Sequence, residues 1–134
     1  MSTATNSIGV DRASFLAYVK ESYHTEPEYL WPRYPTDGVL RHKENRKWFG
    51  VVMDIPRSKL GLGGEEPISI VDLKCDPVML GSLLQKPGHF PGYHMNKNHW
   101  ITVLLDGSVP PQELFPLVDF SYQLTKTKRK KDVS

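Results

Sequence analysis

The sequence predicts one compact α+β domain, a mainly antiparallel sheet flanked by helices in the order α-β-β-β-α-β-α. The chain has 134 residues, of which 39% are hydrophobic, and this content supplies one core but not two. Two segments with strand composition, residues 39–42 and 47–55, are joined closely around Glu44 and Asn45. Because strands joined so tightly pair antiparallel, we expect a mainly antiparallel sheet.

The N-terminal third is predicted to form a helix followed by an extended loop. Asp11 is a typical N-cap residue, and apolar residues follow it at helical spacing. These residues are Phe15, Leu16, Val19 and Tyr23. The helix must end before Pro27, and the prolines within residues 26–37 disfavour helical backbone at the residues that precede them. We therefore expect residues 26–37 to form an extended loop that covers the sheet.

The middle of the chain is predicted to contain a third strand and a short helix. Residues 56–67 are polar and rich in glycine, which indicates a mobile wing or hairpin tip before a strand at residues 68–74. Asp76 is suited to cap a helix that has Pro77 at its first position. Pro87 and the glycine after it are expected to close this helix.

The last third is predicted to form a strand at residues 99–105, a turn at Asp106 and Gly107, and a final helix. Pro116 interrupts the helical pattern because it has no amide donor and clashes with the preceding turn. Two alternatives follow: a helix that begins near Pro111 is kinked, or the regular helix begins at Pro116.

The folded domain is expected to span residues 11–126, with a disordered N-terminus at residues 1–10 and a basic, disordered tail at residues 127–134. The formal net charge of the whole chain is +2. Without the segment 126–132, 12 basic and 14 acidic residues remain, so the folded body is slightly acidic. Any attraction for phosphate groups must therefore come from local patches or from the tail.

The composition also bears on location. No apolar run approaches the roughly 18 to 20 residues that span a bilayer, and residues 1–9 lack the charged start and apolar centre of a signal peptide. We expect a soluble, cytoplasmic protein with no membrane partner. Cys75 is the single cysteine, so an intramolecular disulfide is excluded.

The segment 91–103 carries the most informative motif, since imidazole, amide, ammonium and aromatic groups lead directly into a strand. Its two halves, Tyr93–Lys97 and His99–Val103, resemble the signature of the MmcQ/YjbR family. Three other segments resemble that family in the same order: they are Asn45–Phe49, Leu73–Pro77 and Ser121-Tyr122. The resemblance extends over about residues 11–126.

The resemblance implies a double-wing, CyaY-like α+β fold of a bacterial protein that binds DNA and has no established enzymatic activity. The leading hypothesis is therefore a DNA-binding, nucleic-acid-associated protein. Its predicted phosphate contacts are Arg41, Arg46, Lys47 and Lys97, with His94 and Asn96 available for hydrogen bonds. The alternative is that the hairpin carrying Arg46 is merely solvated, that Asn96 forms a turn and that His94 bonds to backbone.

A second hypothesis is a small-ligand or protein-interaction module. A pocket is predicted between the covering loop and the sheet. It would be lined by Trp31 and Tyr34 of that loop and by Tyr93 and His94 of the signature segment, residues 91–103. Binding to phosphates would weaken steeply with salt, whereas binding in an aromatic pocket would not.

Catalytic and metal-binding patterns are weak in this sequence. His89, His94 and His99 recur every five residues, a spacing that matches neither a helix face nor a strand face, so no metal or cofactor is predicted. The chain contains no hydrolase elbow or phosphate-binding glycine loop. We expect a protein without enzymatic activity; an uncharacterised reaction would use His94 or Cys75.

Overall fold

The computed structural model describes residues 9–127, which form three helices and five strands. In chain order the elements are α1 (Arg12–Tyr23), β1 (Gly38–Arg41), β2 (Trp48–Pro56), a 3-10 turn (Arg57–Leu60), β3 (Pro67–Lys74), α2 (Pro77–Leu83), β4 (His89–Pro91), β5 (Trp100–Leu104) and α3 (Pro111–Thr125). The strands form one sheet in the order β1-β2-β3-β5-β4, and every neighbouring pair is antiparallel. The predicted α+β class is therefore confirmed.

Strand β4 was not predicted. It consists of three residues, and they are extended because they pair with β5, with His89 opposite Val103 and Pro91 opposite Ile101. The observed order is therefore α-β-β-β-α-β-β-α, with one strand more than the sequence predicted.

The ordered chain begins earlier than Asp11. The Val10 side chain is 2% exposed, and its amide donates to the Val109 carbonyl at 2.9 Å. A Cβ atom at Gly9 would lie 2.0 Å from the Gly107 carbonyl oxygen, so the backbone packs too closely there for any larger residue. Gly9 and Val10 thus belong to the fold, which corrects the predicted disordered segment 1–10 at its last two residues. The rest of that segment and residues 128–134 of the predicted tail lie outside the described residues.

The two predicted helix starts are confirmed. The Asp11 carboxylate accepts from the Ser14 amide at 2.9 Å, and the Ser14 hydroxyl accepts from the Asp11 amide at 3.0 Å, which forms a capping box on α1. Asp76 accepts from the Val78 amide at 3.0 Å and caps α2, whose first residue is Pro77.

Helix α3 runs without interruption from Pro111 to Thr125, so the alternative start at Pro116 is wrong. Pro116 deprives only the Gln112 carbonyl of its amide partner. Both residues are exposed, so water can bind this carbonyl and the cost of the proline is small.

The sheet is buried on both faces. The inner face packs against the helices, where Leu40, Leu73 and Ile101 meet Phe15 and Leu114. On the outer face, apolar residues of the central strands are covered by loop and edge-strand side chains. The covered residues are Val51, Met53, Ile55, Ile68, Ile70 and Leu104, and the covering residues include Leu60, Leu62, Phe90 and Tyr93. Two-sided burial explains the nearly continuous apolar runs of β2 and β5.

Ser121 of α3 binds two strands at once. Its hydroxyl donates to the Phe49 carbonyl at 2.6 Å and accepts from the Lys74 amide at 2.9 Å. Phe49 is the extra residue of a β-bulge, since Leu40 pairs with Gly50 and Arg41 with Trp48. The Ser121 hydroxyl therefore joins the bulged residue of β2 to the end of β3.

Replacing Ser121 by alanine should lower the free energy of unfolding by about 1–3 kcal/mol, because the Phe49 carbonyl and the Lys74 amide would lose a buried partner. Urea denaturation measures the change. Ser82→Ala is the matched control, because Ser82 is exposed on α2, and its effect should stay within about 0.5 kcal/mol. Equal losses in both variants would contradict the role given to the Ser121 hydroxyl.

Candidate functional site

A cavity of about 570 Å³ lies on the outer face of the sheet, under the covering loop. Its walls include all four residues of the predicted aromatic pocket: Trp31, Tyr34, Tyr93 and His94. Met53 and Ile55 of β2 contribute apolar surface to it. Two segments separated by about sixty residues thus meet at one cavity, as the second hypothesis requires.

Hydrogen bonds hold the covering loop against the sheet and α1. The Arg12 guanidinium binds the Asp54 carboxylate at 3.0 Å and the Thr36 carbonyl at 2.7 Å. The Thr36 hydroxyl accepts from the Asp54 amide at 3.1 Å. At the start of the loop, Glu28 pairs with Val39 of β1 through two backbone hydrogen bonds of 2.9 Å. The cavity walls are thereby attached to regular structure at several points.

The aromatic walls make fixed contacts with one another and with the core. The rings of Tyr93 and His94 stack with their centroids 4.0 Å apart and their planes 13° apart. Trp31 meets Trp48 edge to face at 5.8 Å. Tyr34 is 59% exposed and stands at the mouth of the cavity. Contacts of this kind lower the conformational entropy that the side chains lose when a ligand binds.

Three charged residues border the cavity: Asp37, Asp54 and Arg33. The Asp54 carboxylate is occupied, since Arg12 and the Ser69 hydroxyl both bind it. Asp37 is different, because within residues 9–127 it forms no ion pair and its one side-chain hydrogen bond is a long 3.4 Å contact from the Thr36 hydroxyl. Burial raises the pKa of Asp37 above its ordinary value, although the nearby Arg12 opposes this shift.

A buried carboxylate lies below the signature segment. Asp72 is fully buried in the central strand β3, and its Oδ1 accepts from the Thr102 hydroxyl at 2.5 Å. The same hydroxyl accepts from the Tyr93 amide at 2.8 Å, so Thr102 links Asp72 to the cavity wall. Asp72 Oδ2 has no partner within residues 9–127. Burial raises the pKa of Asp72 to about 7, against the opposing effects of the Thr102 hydrogen bond and the Lys97 charge.

Sequence reasoning missed Asp72 and Thr102. The available signal was an aspartate between Val71 and Leu73, in a predicted strand that is otherwise mostly apolar. A strand buried on both faces has no exposed position for a charge, so a carboxylate there marks an unusual local environment.

The six predicted nucleic-acid contacts do not form one cluster. Arg41 is engaged with Glu28 at 2.6 Å, and His94 lines the cavity. Asn96 Oδ1 accepts from the Asn98 amide at 2.8 Å, which is the turn that the alternative interpretation predicted. Arg41 and Asn96 therefore have structural partners, and His94 lies at the cavity.

The remaining three are exposed and lie at one end of the sheet. Arg46 and Lys47 belong to the tip of the β1–β2 hairpin, and Lys97 belongs to the segment joining β4 to β5. The register places both connections at the end where β3 finishes at Lys74. The Lys97 ammonium donates to the Gly92 carbonyl at 2.8 Å, so it also stabilises its own loop.

Two candidates for other chemistry, Cys75 and His89, are buried. Cys75 is buried, and burial raises the pKa of its thiol to about 11, which disfavours a nucleophilic thiolate. His89 Nδ1 donates to the Pro87 carbonyl at 2.9 Å. Within residues 9–127 no cluster of three or more His, Cys, Asp or Glu side chains is placed to hold a metal ion. None of the helices in the same range combines the length and hydropathy needed to cross a membrane.

Comparisons with known proteins agree with this architecture. A family model described as YjbR matches residues 20–124. The uncharacterised protein YyaQ of Bacillus subtilis is 42% identical over 115 residues, which cover 86% of this chain and 98% of that protein. The uncharacterised protein YjbR of Escherichia coli K12 is 46% identical over 54 residues, 40% of this chain and 46% of that one.

Solved structures with the same fold are similar to this chain. A crystal structure of a Pseudomonas syringae protein has a TM-score of 0.85 at 44% identity and covers 87% of this chain and 100% of its own. A Deinococcus radiodurans protein has a TM-score of 0.66 at 25% identity, with 91% of this chain and 82% of its own covered. The fold is thus that of a single-domain α+β protein with a loop-covered sheet face. The chain belongs to the YjbR family.

Asp72 should make the stability of the protein depend on pH. Its folded-state pKa of about 7 lies above the ordinary value of 3.8, so its contribution is fully present below pH 4 and is lost as pH rises through 7. Relative to Asp72→Asn, the free energy of unfolding of the natural protein should fall by about 4 kcal/mol between pH 4 and pH 8.

Urea denaturation at several pH values measures this difference. Glu65→Gln is the control, because Glu65 is exposed. The difference in free energy of unfolding between the natural protein and Glu65→Gln should hardly change with pH. A difference between the natural protein and Asp72→Asn that does not change with pH would show that the Asp72 carboxyl titrates normally in the folded protein.

Proposed function

We propose that this protein is a non-enzymatic binding module that takes a small molecule into the cavity under the covering loop. The observation that carries the proposal is the convergence of Trp31, Tyr34, Tyr93 and His94 on one cavity. Its volume of about 570 Å³ falls within the range of roughly 300–1,000 Å³ typical of small-molecule sites.

The character of the walls supports binding. Aromatic and apolar surface predominates, and a few polar groups of Asp37, Thr36 and Arg33 are available to orient a ligand. The walls are already attached to α1, β1 and β2, so a ligand meets a site that is largely preformed.

Tyr34→Ala should weaken binding about tenfold, because one aromatic wall contributes about 1–1.5 kcal/mol beyond its buried area. The experiment screens small aromatic, aliphatic, cationic and anionic compounds by NMR, following the indole N–H signal of Trp31, and measures affinities of the hits by titration. Tyr34 is more than half exposed, so the substitution should leave the fold unchanged.

Tyr29→Ala is the matched control. Tyr29 lies on the same loop and is 52% exposed, but it is not part of the cavity wall. Its replacement should leave the affinities unchanged. Hits that shift no cavity residue, or that respond equally to both variants, would contradict the proposal.

A second candidate function is the DNA binding that the family resemblance implies for a double-wing protein. The observation in its favour is the exposure of Arg46, Lys47 and Lys97 at the same end of the sheet. The two connections that carry them flank β3, and adjacent strands are about 4.8 Å apart, so these cations can meet neighbouring phosphates of one strand.

The charge-reversed variant Arg46→Glu/Lys47→Glu should lose at least tenfold in affinity for labelled duplex or single-stranded DNA, with a shallower dependence on salt. Fluorescence anisotropy at several salt concentrations measures both quantities. The control is Lys59→Glu/Lys86→Glu, which makes the same charge change on exposed residues at the opposite end of the sheet.

Equal losses of affinity in the two double variants would show that the attraction depends only on the overall charge of the protein. A further variant with glutamine at positions 128–131 separates the contribution of the basic tail. Binding that disappears with those four charges would exclude a nucleic-acid site on the folded domain.

A further inference from the structure

We infer that the ligand of this cavity is an organic cation, an alkylated ammonium group held between aromatic faces and the carboxylate of Asp37. The inference rests on the proposed ligand-binding function and adds the chemical class of the ligand. It depends on three features of the walls: their π faces, the state of Asp37, and the position of Arg33.

The first feature is the set of aromatic faces. Trp31, Tyr34 and Tyr93 all border the cavity, and the face of each ring carries partial negative charge. A cation within about 6 Å of such a ring centroid is attracted to it, and tryptophan gives the strongest attraction. Several aromatic walls around one space are the arrangement that recognises quaternary ammonium groups.

The second feature is a carboxylate that forms no ion pair within residues 9–127, although the charge of Arg12 is near enough to oppose the rise in its pKa. Asp37 is half-buried, and burial raises its pKa, which means that its charged form is incompletely solvated. Asp54 on the same wall is already compensated by Arg12 at 3.0 Å, whereas Asp37 forms no ion pair within residues 9–127. A cation in the cavity would supply the interaction that Asp37 lacks.

The third feature, Arg33, raises the opposite possibility of an anionic ligand. Arg33 is exposed at the border of the cavity, where water solvates its guanidinium. An anion would have to lie beside the Asp37 carboxylate, which forms no ion pair within residues 9–127, and against electron-rich ring faces. The carboxylate and the aromatic faces together therefore favour a cationic ligand over an anionic one. Arg33 weakens the binding of this cation by like-charge repulsion.

The test compares choline with its neutral isostere 3,3-dimethyl-1-butanol and with the anion 3,3-dimethylbutanoate, by NMR titration of the full chain. Choline should bind at least tenfold more tightly than the isostere. Asp37→Asn should weaken choline about fivefold and leave the neutral isostere unchanged, whereas Arg33→Ala should strengthen choline about twofold. Glu65→Gln removes one exposed negative charge outside the cavity walls and should change neither affinity.

Each contrary result overturns the inference. Equal affinity for choline and the isostere would show a purely apolar site, and the proposed binding function would still stand. Preference for the anion, lost in Arg33→Ala and increased in Asp37→Asn, would reverse the class of ligand. Failure of all three probes excludes the alkylammonium class, and the broader compound screen then decides separately whether the cavity binds small molecules.

Discussion

The outer face of the sheet has to be covered without a helix, and much of the structure follows from this constraint. Apolar side chains of β2, β3 and β5 project from both faces, but within residues 9–127 the apolar cluster of the outer face contains no residue of α1, α2 or α3. Loops must therefore remove this face from water. Loops pack less regularly than a helix, because their backbone also needs hydrogen-bond partners, and the cavity lies where the covering is incomplete.

The attachments of these loops explain several residues that have no role in binding. Arg12 reaches from α1 to hold the covering loop at Thr36, and Arg41 reaches from β1 to Glu28 at its start. On the other side of the cavity, Thr102 holds the signature segment at Tyr93 and passes this contact to Asp72. A carboxyl with a pKa of about 7 thus lies two hydrogen bonds from a wall of the cavity.

The sequence predicted those features that depend on neighbouring residues. The cap at Asp76 depends on an amide two residues away, and the class of the fold follows from two strand segments joined closely around Glu44 and Asn45. Prediction from the sequence failed where the interacting partner is distant along the chain. Strand β4 forms because β5 pairs with it, and the Arg41 guanidinium binds Glu28, thirteen positions earlier. Pro116 is tolerated because its unpaired carbonyl partner faces water, which no local pattern shows.

The two candidate functions use different parts of the molecule, although the signature segment contributes to both. Tyr93 and His94 face the cavity on the outer sheet face, while Lys97 lies at the end of the sheet near Arg46. The folded body without its basic tail carries slightly more acidic than basic residues, so a nucleic-acid surface would depend on these few cations. The cavity depends instead on rings that are already fixed by stacking and by backbone hydrogen bonds. The geometry therefore supports ligand binding in the cavity more strongly than nucleic-acid binding, because the cavity does not depend on the overall charge of the domain.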